Sequence, residues 1–250
     1  MPLAQIRQIE AVGFRAWPAA SVHYDGSWAI RMTACHPSKR LNSVNPLDPG
    51  DTDNMEERVA RAVQRLRAYG RPPVFRLSPL APEALDAYLD AAGWSRFDES
   101  LVMVADLASI DLSDAIDQIP LRDTGRYVDA AVTVQQDNPA LKPGLVEVID
   151  AIRPAKGLFV IEDGGAPVST AICVQDGLLA GLFNIGTLVA SRRKGHGRMI
   201  VKSAIKWAVQ HGAKRGWLQV EAGNAGAIAL YEKIGFTEAY RYAYRQAPDA

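Results

Sequence analysis

Cysteine is scarce: Cys35 and Cys173 are the two thiols in 250 residues, far apart and outside any metal-ligand spacing. They exclude a disulfide scaffold and fit inert side chains in a reducing cytoplasm. Histidine is also sparse, and His23, His36, His196 and His211 are too scattered for a metal constellation, so no metal is expected. Charge of one sign does not prevail, because 28 basic residues face 28 acidic ones. That leaves no global field to attract nucleic acid or an anionic membrane. No apolar run approaches the ~18 residues of a spanning helix, and the N-terminus lacks the basic-then-apolar pattern of a secretory signal.

The chain is otherwise ordinary for a folded protein, with 48% apolar and 22% charged residues. Its length permits a substantial core and lies near the point where two smaller domains become common. Hydrophobic periodicity then segments it. In the first half, residues 5–17 read as a helix, and 21–24 and 28–33 as strands around the Asp25-Gly26 turn, with a short strand over 41–44. Met55, Val59, Ala62, Val63, Leu66 and Tyr69 recur at three-to-four spacing and predict a helix over 53–69, stopped by Gly70 and Pro72-Pro73. A strand over 74–77, a helix over 82–92 and an apolar strand over 100–107 follow. The turn-rich residues 109–125 read as a linker or domain entry, dividing the chain into 1–108 and 126–250.

The second half predicts helices over 126–135 and 143–152, then strands over 157–162, 168–175 and 178–187. Asp163-Gly164-Gly165 and Asp176-Gly177 are tight-turn signals between those strands. A helix over 195–211, a strand over 217–221, a helix over 225–234 and a strand over 239–245 complete it. The two halves share an order of elements without a residue-by-residue repeat. The expected fold class is α/β (α+β), a mixed, largely antiparallel central sheet flanked by helices.

Two stretches carry chemistry. Arg192-Arg193-Lys194-Gly195-His196-Gly197-Arg198 follows a strand and enters a helix. Backbone N–H groups at a helix start hold phosphate oxygens, glycine allows close approach, and basic side chains add charge. A solvated, glycine-capped turn is the competing reading. The stretch is neither a P-loop nor a dinucleotide fingerprint, and one isolated basic cluster does not make a nucleic-acid face. About thirty residues later comes a helix with Asn224 at its start. Leu230 and Ile234 suit its buried face, Tyr231 stands one step around with an exposed look, Gly235 stops it and Phe236 packs beyond.

Arg192-x-x-Gly195-x-Gly197 in this setting resembles the acyl-CoA pyrophosphate loop of the GNAT superfamily of N-acetyltransferases. Asn224-x-x-Ala227-x-x-x-Tyr231-Glu232-Lys233-x-Gly235-Phe236 is similar to that superfamily's next motif. The likeness covers 155–245 and extends over 126–154. It implies the GNAT fold, acetyl-CoA as donor with CoA as product, and transfer of the acetyl group to a primary amine, small or peptidyl, by direct attack in a ternary complex. No nucleic-acid or membrane partner is expected, and the protein is expected to be a monomer or homodimer in the cytoplasm.

By this resemblance Ile185, Gly186 and Thr187 offer backbone hydrogen bonds to the pantetheine arm, as one strand does to another. Arg192, Arg193, Lys194, Gly195, His196, Gly197 and Arg198 form the diphosphate loop, although His196 fits an ordinary solvated histidine equally well. Asn224 and Ala227 lie along the cofactor arm, and capping alone also accounts for Asn224. Tyr231 donates a proton to the departing thiolate, or is a structural tyrosine with its hydroxyl at the surface. The base is less marked: Glu221 ends a strand and is the candidate, with structural or surface duty as its competing reading, while Glu147, Glu162 and Asp163 read as solvated acids. Asn184 occupies the neighbourhood from which some GNAT members present an acid. Its amide cannot act as a base, so deprotonation there runs through water. Cys173, in a core strand, suits no covalent route.

Residues 1–105 also resemble a degenerate GNAT-like domain, through the segments over 40–47 and 72–77. They lack the glycine turn and are expected to shape an acceptor cleft, with Arg31, Arg40, Asn42 and Arg76 as candidate lining residues or, equally, as surface residues. Trp17, Trp28 and Trp94 read as core or interface anchors. A non-catalytic acyl-CoA-binding or interaction protein on the same fold is the main alternative, and a phosphate or nucleotide enzyme of another class is the third.

Overall fold

A computed structural model describes residues 1–248. In chain order its elements are α1 (Leu3–Ala16), β1 (Ser21–Asp25), β2 (Trp28–Met32), β3 (Ser43–Pro46), α2 (Met55–Ala68), β4 (Val74–Leu77), α3 (Glu83–Ala91) and β5 (Ser95–Asp106). Then come α4 (Thr124–Gln135), α5 (Lys142–Asp150), β6 (Ala155–Asp163), β7 (Ala166–Asp176), β8 (Leu179–Thr187), α6 (His196–Gln210), β9 (Arg215–Glu221), α7 (Ala225–Ile234) and β10 (Thr237–Gln246). The fold class is the expected mixed α/β one. No helix among the described residues is long and apolar enough to cross a membrane.

Contacts divide the chain into two compact units. The first holds residues 1–101, 221–223 and the C-terminal stretch from Ala239, and the second holds 102–220 and 224–238. The first unit thus takes its last strand from the far end of the chain, a grouping that a boundary in 109–125 does not anticipate. Its strands run in the order β1-β2-β3-β4-β10. All neighbours are antiparallel except β3 and β4, where Val44 pairs with Phe75 in parallel. Val59, Ala62 and Leu66 form the apolar stripe of α2 against Trp28, Phe75 and Trp94. Trp28 and Trp94 each meet Phe75 edge-on, at 5.5 and 5.4 Å between ring centres. Glu56 and Glu57 in the first turn of α2, with Arg65 and Arg67 in the last, complement its dipole.

Several predicted edges move. Lys39–Leu41 form a 3-10 turn that buries Leu41, so the short strand starts at Ser43. Strand β5 begins at Ser95, five residues before the expected start, because its first half is polar and mostly solvent-facing.

The second unit orders its strands β9-β8-β7-β6, antiparallel except for β8 beside β9. The Asp123 side chain accepts the Arg126 N–H at 3.0 Å and caps α4. Phe183 meets Trp217 edge-on at 5.2 Å, and Phe159 meets Trp207 at 6.1 Å. Gly181 is required here: a Cβ would come within 2.7 Å of both Phe183 and Trp217.

Candidate active site

Strand β8 changes neighbours as it runs. Its register with β9 ends at Leu182↔Leu218, whereas that with β7 continues to Ser169↔Thr187. In between, Thr170 pairs with Gly186 and Ile172 with Phe183, so Asn184 and Ile185 together oppose Ala171. This is a bulge, and Asn184 takes φ +49° within it. The Tyr127 hydroxyl donates to Asn184 Oδ1 at 2.8 Å, and Thr170 Oγ1 to the Asn184 carbonyl at 3.4 Å. The register with β9 has ended before this bulge, which leaves the β9-side edge of residues 184–187 without a strand partner among the described residues. Ser169 secures the other side by donating to the Gly186 carbonyl at 2.6 Å.

Beyond Thr187 the chain makes a 3-10 turn over Val189–Ser191 and then enters the basic stretch. Arg193 is left-handed at φ +65° and Gly195 at φ +89°, so the backbone bends sharply before α6. No side chain caps that helix. Its N-terminal N–H groups have no intrahelical acceptors, and the helix dipole adds partial positive charge there. Both ring nitrogens of His196 are buried without a hydrogen-bond partner. Gly197 fits because a Cβ would press within 3.3 Å of Leu230 and Thr187 Oγ1.

Helix α7 faces the same space. Asn224 Oδ1 accepts the Ala227 N–H at 3.1 Å, so Asn224 does cap the helix. Asn224→Ala is expected to cost ~1 kcal/mol of stability, read as a lower denaturation midpoint. Tyr231 departs from its exposed look: it is 6% exposed, packs edge-on to Phe236 at 6.3 Å, and shares the buried face with Ile234. Leu230, assigned to that face from its spacing, is only half-buried and turns toward the cavity instead. Burial pushes the Tyr231 phenol up to about 12, so it stays protonated at neutral pH.

These elements enclose a cavity of about 520 Å³. Ile185, Gly186, Thr187, Arg192, Arg193, Gly195, His196, Gly197, Arg198, Asn224, Ala227 and Tyr231 all line it. Lys194 is exposed outside that lining. Ser191, Gly226 and Leu230 line it without having been named as cofactor-binding residues in the sequence. Gly226 and Leu230 sit inside the second motif, whereas nothing in the local pattern marks Ser191. The donor set suits a phosphate-bearing group with an extended amide arm: an uncapped helix start, an orphaned imidazole, arginines and an open strand edge.

The remaining candidates are placed differently. Asn184 is engaged by Tyr127, and Glu221 is exposed at the last position of β9. In the first unit, Arg31 donates to the Arg40 carbonyl at 2.7 Å and to the Trp17 carbonyl, with its guanidinium 4.4 Å over Phe14. Burial, and then Arg76, lower Arg31 to about 10. Asn42 staples a loop: it accepts the Thr33 N–H and donates to the carbonyls of His36 and Ser38. Arg76 forms a buried two-pronged pair with Glu10. Cys173 is fully buried, and burial pushes its thiol up, out of nucleophilic range. Among the described residues no cluster of His, Cys, Asp or Glu is placed to hold a metal.

Comparison with known proteins turns this geometry into a class. The fold is similar to a GCN5-related N-acetyltransferase from Kribbella flavida over 98% of this chain and 95% of that one, with TM-score 0.71 at 18% identity. A tandem GNAT protein from the clavulanic acid biosynthesis pathway is similar over 96% of this chain and 87% of that one, with TM-score 0.63 at 14% identity. The uncharacterized N-acetyltransferase YobR of Bacillus subtilis is 29% identical over 247 residues, covering 96% of this chain and 98% of YobR. A shorter match, 47% identical over 60 residues, links 24% of this chain to 40% of the [ribosomal protein bS18]-alanine N-acetyltransferase of Salmonella typhimurium. The protein is an N-acetyltransferase of the GNAT superfamily. Within that class, the family described as "Probable histone acetyltransferase Rv0428c C-terminal" matches residues 3–245, and the chain belongs to it.

Proposed function

We propose that the protein transfers an acetyl group from acetyl-CoA to a primary amine by direct attack in a ternary complex. One observation carries this reading: a single cavity brings together the open edge of β8, the uncapped start of α6 and the buried Tyr231. Bound acetyl-CoA supplies an activated acetyl group with a thiolate leaving group.

The chain's own residues do the rest. Arg192, Arg193 and Arg198 hold the diphosphate with the N–H groups of α6, and His196 donates from its ring. Backbone groups of Ile185, Gly186 and Thr187 read the amide arm, and an N–H of β8 near the bulge polarises the thioester carbonyl. The acceptor ammonium loses a proton to water or to Glu221, since only the neutral amine has a lone pair. A C–N bond then forms as the C–S bond breaks, Tyr231 delivers its proton to sulfur, and the second proton leaving the amine nitrogen restores the phenol through solvent. A peptidyl acceptor is supported by the likeness to the bS18-alanine enzyme, and a small amine is the other candidate. The first unit lacks the glycine turn and we assign it to acceptor recognition, in a tandem arrangement and a cytoplasmic setting.

The test is thiol release from acetyl-CoA across a panel of amines, with CoA affinity measured in parallel. Replacing Arg192 and Arg193 with Ala should weaken CoA binding by about tenfold to a hundredfold, the scale of lost hydrogen bonds to a charged partner. Unchanged affinity would remove both arginines from the phosphate site. Thermal protection by ATP but not by CoA would sink the whole reading.

A further inference from the structure

Residues 107–121, which link β5 to α4, lie along α6 as a strap carrying an acid at every third position: Asp111, Asp114 and Asp117. Helix α6 answers at every fourth position with Arg198, Lys202, Lys206 and Gln210, a single stripe of its surface. Asp114 meets the first two. Its Oδ2 lies 3.0 Å from Arg198 Nη2, and its Oδ1 accepts from Lys202 Nζ. Asp117 meets the next two, at 3.3 Å from Lys206 Nζ and 3.1 Å from Gln210 Nε2. The strap is pinned at its ends, where Leu107 N–H donates to the Lys214 carbonyl at 2.9 Å and Leu121 N–H to the Leu158 carbonyl at 2.8 Å.

The two acids hold unequal partners. Asp117 and Lys206 form an ordinary surface pair, with side chains 70% and 29% exposed. The Lys202 side chain is only 4% exposed, so its ammonium depends on Asp114 and anchors that carboxylate in place. The Lys202 ammonium, with Arg198 adding to it, holds the Asp114 carboxyl below the usual carboxylate range. The other carboxylate oxygen reaches Arg198 in the first turn of α6, and Arg198 lines the cavity while so paired.

We propose that Asp114 is a positioning residue for the donor site: anchored by Lys202, it holds the Arg198 guanidinium at the cavity wall for a phosphate oxygen of the acyl donor. This rests on the acyl-CoA reading of that cavity. A free arginine surrenders much rotamer freedom on meeting a ligand, and the pair removes that cost in advance. Asp114 also repels a phosphate, but this exposed carboxylate is screened by solvent and salt, so pre-organisation prevails.

Calorimetric titration of the full chain tests this. Asp114→Asn keeps an acceptor for Lys202 and should weaken CoA binding about threefold to tenfold, the scale of immobilising one long side chain. Binding of pantetheine, which has no phosphate, should not change. In an Arg198→Ala background the same substitution should have no further effect, and Asp117→Asn should leave CoA affinity as it is. Tighter CoA binding by Asp114→Asn would make Asp114 a competitor, and an equal loss with or without Arg198 would make its role one of fold. Either result overturns the proposal. Normal CoA binding with no effect of Asp114→Asn overturns the positioning role alone, whereas a wild-type protein that does not bind CoA removes the functional reading as well.

Discussion

Tyr231→Phe lowers turnover by about 10²–10⁴-fold, the usual contribution of a positioned general acid, and leaves CoA affinity near that of the wild type. The substitution deletes one hydroxyl and keeps the ring, its burial and its edge-on contact with Phe236. The fold and the phosphate end of the cavity are therefore retained, so the loss falls on kcat and kcat/KM together, as for an interaction made only in the transition state. The pH dependence separates this from a packing defect. With its pKa raised to about 12 by burial, the phenol remains an acid throughout the range where the amine becomes nucleophilic. Wild-type turnover should therefore rise with pH and hold a plateau, with no alkaline fall from loss of this acid below that value. In the variant the sulfur must be protonated by solvent. A Phe variant with full turnover at every pH would show that Tyr231 is not the proton donor.

The outline of the fold was legible because its signals are local. The Asp163-Gly164-Gly165 turn gives Gly164 and Gly165 the positive φ angles, +61° and +81°, that a tight hairpin requires. The α2 stripe needs only helical spacing and an apolar face to meet it. The parts that were missed depend on distant partners. The bulge at Asn184 requires a left-handed asparagine that Tyr127, fifty-seven residues away, helps to hold, and no local pattern announces it. The polar first half of β5 looks like loop when read alone. On α7, pairs spaced three and four apart both satisfy a helical face, so Leu230 with Ile234 and Tyr231 with Ile234 were equivalent in the sequence. The cavity decides between them by taking Leu230 as lining and leaving Tyr231 buried. The basic turn was readable because glycines and arginines are required there by type. The strap acids were not, since acids spaced three apart in a linker resemble any solvated connection.

Glu10→Ala should destabilise the protein by ~3–5 kcal/mol, the cost of stranding one member of a buried ion pair. Glu10 and Arg76 are each 4% exposed, and the guanidinium grips both carboxylate oxygens, at 2.6 and 3.0 Å. Burial alone would lower Arg76, and the Glu10 carboxylate outweighs it, so the net direction is upward. The same carboxylate accepts from the Tyr240 hydroxyl at 2.7 Å, and the guanidinium lies 3.7 Å over the Tyr242 ring. Glu10 comes from α1, Arg76 from β4 and the tyrosines from β10, so one carboxylate ties the start of the first unit to the strand that completes it. Removing it leaves a buried cation and a buried phenol without their acceptor. Glu10→Gln, which keeps an oxygen but loses the charge, should fall between the wild type and the Ala variant. Replacing Glu10 and Arg76 together with Leu and Met should recover part of the loss, because no stranded charge remains. Chemical denaturation checks the series. A Glu10→Ala variant within ~1 kcal/mol of wild type would mean that water reaches this site and solvates the arginine.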